Sequence, residues 1–319
     1  MQKIIVTGAA GFIGSTVVDR LLVDGCSVTG IDNFSTGQRE FLKKANNSDG
    51  FSLIETDILT DNNLVRHFYG ADAVFHFSAN ADVRDGVNDT QRDLEQNTIV
   101  TSRVLEACKN AGVKKFLFSS TGSIYGETEI IPTPEDVSFP VQTSLYGASK
   151  LACEGMIQAY SEAFGIESFI FRFVSILGPR YTHGHVYDFI KQLLIDNSRL
   201  QVLGDGKQRK SYLHVEDCVD AMLFALSHSH EKINIYNLGT NEYFEVIQSI
   251  ECICAELGVN PTLSFEGGRR GWIGDNPFIY LDTAKIQKLG WSPKYSIRDS
   301  VKSTTKYLLE NKWLFGQRV

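Results

Sequence analysis

Three glycines near the start of the chain constrain its fold more than any other feature. Gly8, Gly11 and Gly14 lie between an apolar run at residues 4–6 and an amphipathic stretch at residues 12–23, which predicts a strand, a glycine turn and a helix. The first glycine permits a tight turn, the second lets a pyrophosphate approach the backbone, and the third lets helix and strand pack closely. The N–H groups of the helix N-terminus would face the anion. The loop therefore predicts a dinucleotide-binding βαβ unit.

Short apolar strands alternate with longer helical stretches over the first half of the chain. The predicted strands span residues 4–6, 28–31, 51–55, 73–77, 115–119 and 167–173, and the predicted helices span 12–23, 90–110 and 144–164. This alternation predicts an α/β fold, a Rossmann-like doubly wound parallel sheet with helices on both faces. Ligands of such a sheet bind beyond the carboxyl ends of its strands.

The pattern changes after residue 177, where glycine-rich turns separate shorter elements. Helices are predicted at residues 186–196, 215–226, 243–257, 282–289 and 297–309. We therefore predict a dinucleotide-binding domain over residues 1–177, rejoined by about 213–237. Residues 178–212 and 238–319 are predicted to form a smaller α/β lobe that binds substrate.

Charge and composition disfavour several kinds of partner. The 31 basic and 38 acidic residues leave a net charge of −7, which opposes non-specific binding to nucleic acid or to an anionic membrane. The richest apolar run, residues 169–177, is interrupted by Arg172 and is too short to span a bilayer. Six cysteines in 319 residues do not form a disulfide framework, and the early first strand leaves no room for a signal peptide. We therefore expect a cytoplasmic protein.

A carboxylate at the end of the second predicted strand indicates which dinucleotide binds. Asp32 follows Gly14 by 18 residues and can accept hydrogen bonds from the adenosine ribose. The same carboxylate would repel a 2′-phosphate. The nearest arginine, Arg39, is not adjacent to it. NAD is therefore predicted in preference to NADP.

A tyrosine and a lysine four residues apart are the candidates for proton transfer. Tyr146 and Lys150 share one face of the predicted helix 144–164, because residues i and i+4 are neighbours on a helix. A nearby ammonium and a positive nicotinamide ring would lower the pKa of the phenol towards neutrality. Tyr146 could then act as general base and general acid on a sugar hydroxyl.

Hydroxyl side chains cluster where the fifth predicted strand ends. Ser119, Thr121 and Ser123 follow or close that strand, at the edge where parallel strands present their ligand site. Their hydroxyls could hydrogen-bond a substrate oxygen, or they could cap a loop.

Cationic residues in the second half of the chain are candidates for binding phosphate. They are Arg209, Lys210 and Arg270, because a planar guanidinium matches phosphate with two parallel hydrogen bonds. Arg270 could instead be a solvated surface charge. His183 and His185 have the spacing of a metal-binding pair, but no carboxylate or cysteine lies nearby in sequence. No metal site is predicted.

Ordered motifs along nearly the whole chain resemble the extended short-chain dehydrogenase/reductase family. They are TGAAGFIG (7–14), HFSANADV (76–83), FSSTGSIYG (118–126), YGASK (146–150), RFVSILGPR (172–180), DGKQRKSYLHVED (205–217) and RRGWIGDNP (269–277). Within this family they are most similar to its sugar-nucleotide branch, the UDP-glucose (UDP-galactose) 4-epimerases.

The resemblance implies a cofactor, a substrate and a set of site residues. NAD would be held by Gly8, Gly11, Phe12, Ile13, Gly14, Asp32, Asn33, Asp57, Ile58, Ser78, Ala79, Asn97, Ser119, Tyr146 and Lys150. The nucleotide sugar would be held by Thr121, Ser123, Ser175, Arg209, Lys210, Arg270 and Asp275.

The resemblance also implies a cyclic reaction. Tyr146 would remove the proton of the C4 hydroxyl, aided by Thr121 where many relatives carry a serine, and Lys150 would hold the nicotinamide ribose. The C4 hydride passes to NAD⁺ and returns to the other face of a 4-keto sugar, so no net redox occurs. Relatives commonly form homodimers, and the helices 90–110 and 144–164 are predicted to pair across a twofold axis.

Differences from the epimerase pattern leave other sugar-nucleotide reactions open. Ser175 stands where relatives usually carry an asparagine that contacts phosphate, and Lys210 stands where they carry an arginine. A 4-epimerase of UDP-glucuronate or UDP-GlcNAc is therefore an alternative, and a dehydratase is another. Dehydratase relatives place an Asp-Glu pair at the positions of Gly122 and Ser123, and decarboxylase relatives carry a glutamate near this point. Here no carboxylate lies between Thr121 and Glu127. Simple epimerisation therefore leads.

A non-catalytic NAD-binding scaffold is the alternative from another class. Some proteins of this fold serve as sensors, and the fold alone does not decide between the two. The presence of Tyr146, Lys150 and Thr121 together favours an enzyme.

Overall fold

Strands and helices alternate along the described residues, which are 2–83, 86, 88–138, 141–271 and 275–316 of this computed structural model. The strands in chain order are β1 (Lys3–Thr7), β2 (Ser27–Asp32), β3 (Phe51–Glu55), β4 (Ala73–His76), β5 (Lys115–Thr121), β6 (Glu167–Phe173), β7 (Ser175–Leu177), β8 (Arg199–Val202), β9 (Arg209–Lys210), β10 (Tyr212–His214), β11 (Ile233–Leu238), β12 (Phe244–Glu245), β13 (Thr262–Phe265) and β14 (Phe278–Ile279). The α-helices are α1 (Phe12–Val23), α2 (Thr90–Asp93), α3 (Val100–Ala111), α4 (Leu145–Phe164), α5 (His185–Ile195), α6 (Val215–His228), α7 (Val246–Leu257), α8 (Ala284–Lys288) and α9 (Ile297–Glu310).

The chain divides into two compact units. The first unit comprises Met1–Ile124, Ser144–Arg172 and Met222–Tyr236, and the second comprises Tyr125–Thr143, Phe173–Ala221 and Asn237–Val319. The sequence places the first boundary at residue 177 and the return at about 213–237. In the structure residues 173–177, 213–221 and 125–143 belong to the second unit.

A seven-stranded parallel sheet forms the centre of the first unit. Its strand order is β3, β2, β1, β4, β5, β6, β11, and Thr7 at the end of β1 lies between Ile31 of β2 and His76 of β4. Successive strands proceed outward in opposite directions from β1 and β4. The carboxyl ends of these two strands therefore flank the switch point where doubly wound sheets bind ligands. The predicted Rossmann-like fold is confirmed.

Strand β5 shows that both faces of the sheet are covered at its centre. Phe116, Leu117 and Phe118 are consecutive in β5, and each is at most 1% exposed. Since alternate residues of a strand point to opposite faces, both faces are packed at this point. Each such aromatic or aliphatic side chain contributes roughly 1.5–3 kcal/mol by leaving water.

The helix predicted at 90–110 is wrong in one respect, because it is interrupted. A π-helical turn, Leu94–Ile99, joins α2 to α3, and Gly112 ends α3 with a positive φ of 74°. The wide turn places Asn97, only 1% exposed, in the interior. Such π-helical turns are frequent at functional sites.

Small strands replace predicted loop and helix in the second unit. β9 pairs with β12 and β14 in a three-stranded sheet, and β8 pairs with β13. The helix predicted from residue 243 therefore begins only at Val246, and the one predicted at 282–289 is reduced to α8. Strands of two residues are too short to show the alternation that reveals a strand in sequence. None of the described helices is long and apolar enough to cross a membrane.

Candidate active site

The glycine loop after β1 has no room for side chains at two of its glycines. Gly8 has a φ of +67°, and a Cβ there would lie 2.8 Å from the backbone of Phe77 and Ser78. A Cβ on Gly14 would lie 2.1 Å from the Gly8 carbonyl oxygen. Gly11 begins α1 without a side-chain cap, and the first turn of α1 carries no acidic residue. This helix start therefore suits an anion.

Asp32 is fixed by backbone hydrogen bonds at the end of β2. Its Oδ2 accepts from the Ala10 N–H and its Oδ1 from the Phe34 N–H, both at 2.8 Å. Burial raises the pKa of this carboxyl, and the two N–H donors oppose that rise. The carboxylate is thus held in one orientation beside the glycine loop, as recognition of a ribose requires.

We predict that the chain binds NAD(H) in preference to NADP(H), and that Asp32→Ser weakens NAD⁺ binding by about 10- to 100-fold. A hydrogen bond to a charged group contributes about 1.5–3 kcal/mol, and a 2′-phosphate would face this carboxylate. Titration of the stripped protein with both nucleotides measures the preference. Tighter binding of NADP⁺ by the wild-type chain contradicts the prediction.

A second group of predicted cofactor residues lies at the ends of β2 and β3. The Asn33 side-chain amide donates to Asp57 Oδ2 at 3.2 Å, and the Leu59 N–H donates to Asp57 Oδ1 at 2.8 Å. Sequence reasoning missed Arg103, whose guanidinium donates to the carbonyls of Ile58 and Asp61 at 2.7 and 2.6 Å. No motif marks an arginine in the middle of a helix, so this support for the loop was not predictable.

The ends of β1, β4 and β5 are joined by short side-chain contacts. The N–H of Ser78, which precedes Ala79, donates to Thr7 Oγ1 at 3.3 Å. The Ser119 hydroxyl donates to the His76 carbonyl at 3.3 Å. Burial lowers the pKa of His76 to about 3, so its imidazole is neutral between the hydroxyls of two threonines. His76 is therefore a core residue.

Lys150 and Tyr146 lie on one face of α4, with Lys150 almost fully buried at 2% exposure. The Lys150 ammonium donates to the Ser119 carbonyl at 2.9 Å and lies 4.7 Å from the centre of the Phe118 ring. Burial lowers the pKa of Lys150 to about 8, against the opposing effect of Cys153 and other acidic groups.

The expected direction of the Tyr146 pKa shift is wrong for the chain by itself. Burial raises the pKa of Tyr146 to about 12, and the negative charge of Asp93 adds to the rise. Hydrogen bonding from the Thr121 side chain opposes it. Burial depends on packing that the motif does not reveal, and here it outweighs the opposing hydrogen bond. Thr121 also bonds to Ser123, whose N–H donates to Thr121 Oγ1 at 3.1 Å.

Asn97 links the π-helical turn to α4. Its side-chain amide donates to Ser149 Oγ at 2.9 Å and to Asp93 Oδ1 at 3.3 Å, and its oxygen accepts from the Asn80 N–H at 2.8 Å. Ser149 in turn donates to the Tyr146 carbonyl at 2.8 Å. Asn97 is thus bonded within the protein on three sides, beside the tyrosine–lysine pair.

The lowered pKa of Lys150 predicts an alkaline limit to activity. As the pH rises through about 8, Lys150 loses its proton and with it the positive charge beside Tyr146, so kcat should fall. Lys150→Arg keeps the charge at every accessible pH, because the guanidinium pKa exceeds about 12. The alkaline limb of the kcat profile should therefore disappear in that variant. An unchanged limb in Lys150→Arg means that another group titrates.

The predicted phosphate-binding residues of the second unit have different partners. The Lys210 ammonium donates to Asp275 Oδ1 at 2.5 Å, and Asp275 Oδ2 accepts from the Gly271 N–H at 2.9 Å. Arg270 forms an exposed ion pair with Glu127. Residues 272–274 of this loop lie outside the described residues.

Arg209 and Ser175, also predicted to bind the nucleotide sugar, do not contact the Lys210–Asp275 pair through the bonds described. The Arg209 guanidinium lies 4.1 Å from the Phe278 ring centre and 5.6 Å from that of Tyr243, which explains its place by stacking. Ser175 is exposed at the start of β7. Lys210 and Asp275 are thus brought together, whereas Arg209 and Arg270 have separate partners. In the described part of the chain, no three His, Cys, Asp or Glu side chains are arranged to hold a metal ion.

A glycine loop at the switch point of a doubly wound sheet, with a tyrosine–lysine pair on α4 after β5, defines a dinucleotide-dependent enzyme. Sequence comparison then identifies the class. The chain belongs to the NAD dependent epimerase/dehydratase family, whose model matches residues 4–239. The predicted family, its enzymatic nature and its cofactor NAD are confirmed.

Individual relatives cover nearly the whole chain. A UDP-glucose 4-epimerase of Mycolicibacterium smegmatis is 32% identical over 313 residues, which cover 96% of this chain and 98% of the relative. A solved UDP-galactose 4-epimerase superposes with a TM-score of 0.87 at 33% identity, covering 98% of this chain and all of the other. UDP-glucuronic acid 4-epimerase of Bacillus cereus, in complex with UDP-glucuronic acid and NAD, gives a TM-score of 0.89 at 29% identity, covering 97% and 99%.

The residues of the first unit fit NAD on steric and electrostatic grounds. The glycine loop leaves no side chain over the start of α1, which favours an anion such as a pyrophosphate. Asp32 presents a fixed carboxylate at the end of β2, where a ribose would bind. Lys150, one helical turn from Tyr146 on α4, places a cation at the end of β5, where its ammonium donates to the Ser119 carbonyl.

Proposed function

We propose that this chain interconverts a UDP-hexose and its C4 epimer, most simply UDP-glucose and UDP-galactose. The observation that supports it best is the cluster of Tyr146, Lys150 and Thr121 at the end of β5, with Gly122 and Ser123 directly after it. The cluster supplies hydroxyl chemistry for oxidation at C4. Elimination of water would need a carboxylic acid and a base at this point, and neither Gly122 nor Ser123 supplies one.

Each residue of the cluster has a distinct task in this proposal. Tyr146 takes the proton of the C4 hydroxyl as general base and returns it as general acid. Thr121, which already bonds with the phenol, stabilises the ionised form of Tyr146. The Lys150 ammonium, buried and bonded to the Ser119 carbonyl, keeps a positive charge beside the phenol. When bound, NAD⁺ supplies the acceptor and later the donor of the hydride, together with a further positive charge.

The nucleotide must stay anchored while the keto sugar rotates, so that the hydride can return to its other face. We assign this task to the second unit, where Lys210 lies beside the buried Asp275 and Arg270 is close in sequence. Lys210 carries a positive charge and N–H donors, and cations of this kind bind diphosphate. The nucleotide should then account for most of the affinity, and UDP alone should inhibit competitively.

UDP-glucuronate and UDP-GlcNAc, whose sugars carry other substituents, are the alternative substrates. The TM-score with UDP-glucuronic acid 4-epimerase, 0.89, is as high as the 0.87 with UDP-galactose 4-epimerase. Ser175 and Lys210 also differ from the pattern of the hexose enzymes. UDP-glucuronate and UDP-GlcNAc therefore belong in the same assay.

Incubation with UDP-galactose, followed by separation of the products, tests the proposal. The expected product is UDP-glucose, formed reversibly, with no NADH accumulating and no loss of water or CO₂. A 4-keto-6-deoxy or pentose product contradicts epimerisation. If another nucleotide sugar is inverted at C4 and UDP-galactose does not react, the proposed reaction stands and the proposed substrate is wrong.

We also propose that the chain is a homodimer that pairs through α4 and the helices of residues 90–111. These helices expose large apolar side chains, Leu94, Ile99, Leu145 and Phe164, each between 42% and 50%. A closed twofold contact would bury them. Sedimentation at micromolar concentration should show a dimer, and Ile99→Glu should weaken it. Ile195→Glu on α5, a residue that is 81% exposed, is the matched control. A wild-type chain that sediments only as a monomer contradicts the prediction.

A further inference from the structure

One face of α4 is bonded to three consecutive residues of β5. Tyr146, Lys150 and Glu154 are spaced by four residues, so they lie in one row along the helix. Their partners are residues 119–121 at the carboxyl end of the strand. The first two members of the row belong to the proposed reaction. Glu154, the third, has no task in it.

Glu154 is the buried end of this row. Its side chain is 1% exposed and accepts a short hydrogen bond from the Ser120 hydroxyl. Its Oε2 accepts from Arg172 Nη2 at 2.8 Å, and its Oε1 accepts from Arg172 Nε at 3.1 Å. Arg172 lies on β6, so the carboxylate bonds β5 and β6 to α4 at one point.

The position of Ser120 makes this contact relevant to the reaction. Ser120 is flanked by Ser119, whose carbonyl accepts from Lys150, and by Thr121, which bonds with Tyr146. A shift of Ser120 would therefore move both neighbours relative to α4. Because the peptide units that join Ser120 to its neighbours are planar and rigid, a displacement of Ser120 is passed on to Ser119 and Thr121.

Stability alone does not explain a buried ion pair of this kind. Removing two charges from water costs about as much as their attraction returns, and apolar pairs of similar volume are often as stable. Buried polar groups of fixed geometry can instead specify one arrangement. Here the arrangement specified is the register of α4 against the end of β5.

We propose that Glu154 and Arg172, acting through Ser120, are positioning residues. They hold Thr121 and Tyr146 in the relative position that proton transfer between Tyr146 and the substrate hydroxyl requires. The proposal rests on the proposed function for its catalytic consequence. It rests on the bonds among Glu154, Arg172 and Ser120 for its structural one.

The charge of Glu154 also affects the pKa of Lys150, so a variant of Glu154 can change the pH profile without moving any residue. The titratable groups that interact with the charge of Lys150 are Asp93 from α2, His76 from β4, and Cys153 and Glu154 from α4; Glu154 is paired with Arg172 of β6. Glu154 raises the pKa of Lys150, so its removal alone would also shift the alkaline limb. Variants that keep or remove both charges of the ion pair separate position from charge.

The sharpest variant is Ser120→Ala, which cuts the bond to the strand and leaves both charges in place. We expect kcat to fall by about 10- to 100-fold, the cost of a displacement of about 1 Å at a reacting group. The KM of the sugar nucleotide should stay unchanged, and so should the alkaline limb, because Glu154 and Arg172 keep their charges. Ser168→Ala is the matched control, because Ser168 is buried in β6 and its hydroxyl has no hydrogen-bond partner among the described residues. It should keep wild-type kcat.

The double variant Glu154→Leu/Arg172→Met tests whether the ion pair is merely structural. It removes both charges and retains apolar volume, so the chain should fold. We expect it to show the same loss of kcat as Ser120→Ala, measured on the plateau of the pH profile below the alkaline limb. A double variant that folds and recovers wild-type kcat overturns the proposal.

A measurement without turnover separates this proposal from the proposed function. Hydrogen exchange of the holoenzyme should show amides of residues 119–121 exchanging about tenfold faster in Ser120→Ala, the effect of losing one strong hydrogen bond, with no such change in Ser168→Ala. If no UDP-sugar reacts with the wild type, the proposed function fails while this exchange result still decides the positioning role. Unchanged exchange at residues 119–121 overturns the inference in either case.

Discussion

Replacing Tyr146 with phenylalanine is expected to lower turnover by about 10²–10⁴-fold while NAD stays bound, because positioned proton transfer contributes about that factor. The substitution removes one oxygen atom from a half-buried ring on α4 and leaves the Lys150 contact with the Ser119 carbonyl in place. The cofactor residues on β1 and β2 are untouched. Steady-state kcat with UDP-galactose and the NAD content of the purified variant are the two measurements.

A second tyrosine provides the control for the loss of a phenolic oxygen. Tyr125 is buried at 3% exposure, and its hydroxyl donates to Asn237 Oδ1 at 2.8 Å. Tyr125→Phe should cost about 1 kcal/mol of unfolding free energy, the typical value of one hydrogen bond, and keep kcat. If Tyr146→Phe also keeps nearly wild-type kcat, Tyr146 is not the base.

The features that could be predicted from sequence are those set by neighbours in the chain. The glycine loop and Asp32 belong to one βαβ unit, in which spacing alone determines which residues meet. Tyr146 and Lys150 share a helix face for the same reason, since they are one turn apart. Continuous apolar strands indicated a sheet covered on both faces, as the burial of residues 116–118 shows.

The features that could not be predicted depend on packing between distant segments. Glu154 meets Ser120 and Arg172 across 34 and 18 residues, and Lys210 meets Asp275 across 65. No periodic pattern links such positions. The interrupted helix at Leu94–Ile99 was missed because a single wide turn hardly disturbs the apolar spacing of the helices around it.

The pKa of Tyr146 shows how the missing information changes chemistry. The motif supplies a cation four residues away, which alone would favour the phenolate. Burial of the ring is a property of the folded chain, and it raises the pKa to about 12. Tyr146 is therefore protonated at neutral pH in the chain alone. Positive charge from Lys150 and from bound NAD⁺ must offset this burial before the phenol can accept a proton.

Replacing Gly14 with alanine is expected to weaken NAD⁺ binding by about 10- to 100-fold. The added Cβ would lie 2.1 Å from the Gly8 carbonyl oxygen and 2.9 Å from its carbon, so either α1 or the glycine loop must move. The Gly8 carbonyl also accepts from the Gly11 N–H at 3.0 Å, so its displacement would reshape the turn. Overpacking of this kind costs about 1–3 kcal/mol, and a tenfold loss of affinity corresponds to about 1.4 kcal/mol. Titration of the stripped protein with NAD⁺ measures the loss.

The same substitution at Gly155 distinguishes a steric effect from a general effect of alanine. Gly155 lies on the exposed side of α4, and a Cβ there meets nothing within 4 Å. Gly155→Ala should therefore raise the unfolding free energy by about 0.5–1 kcal/mol through helix propensity and leave the Kd of NAD⁺ unchanged. A Gly14→Ala variant that binds NAD⁺ as tightly as Gly155→Ala would show that the loop yields without cost. The close approach of α1 to β1 would then not be what requires glycine at position 14.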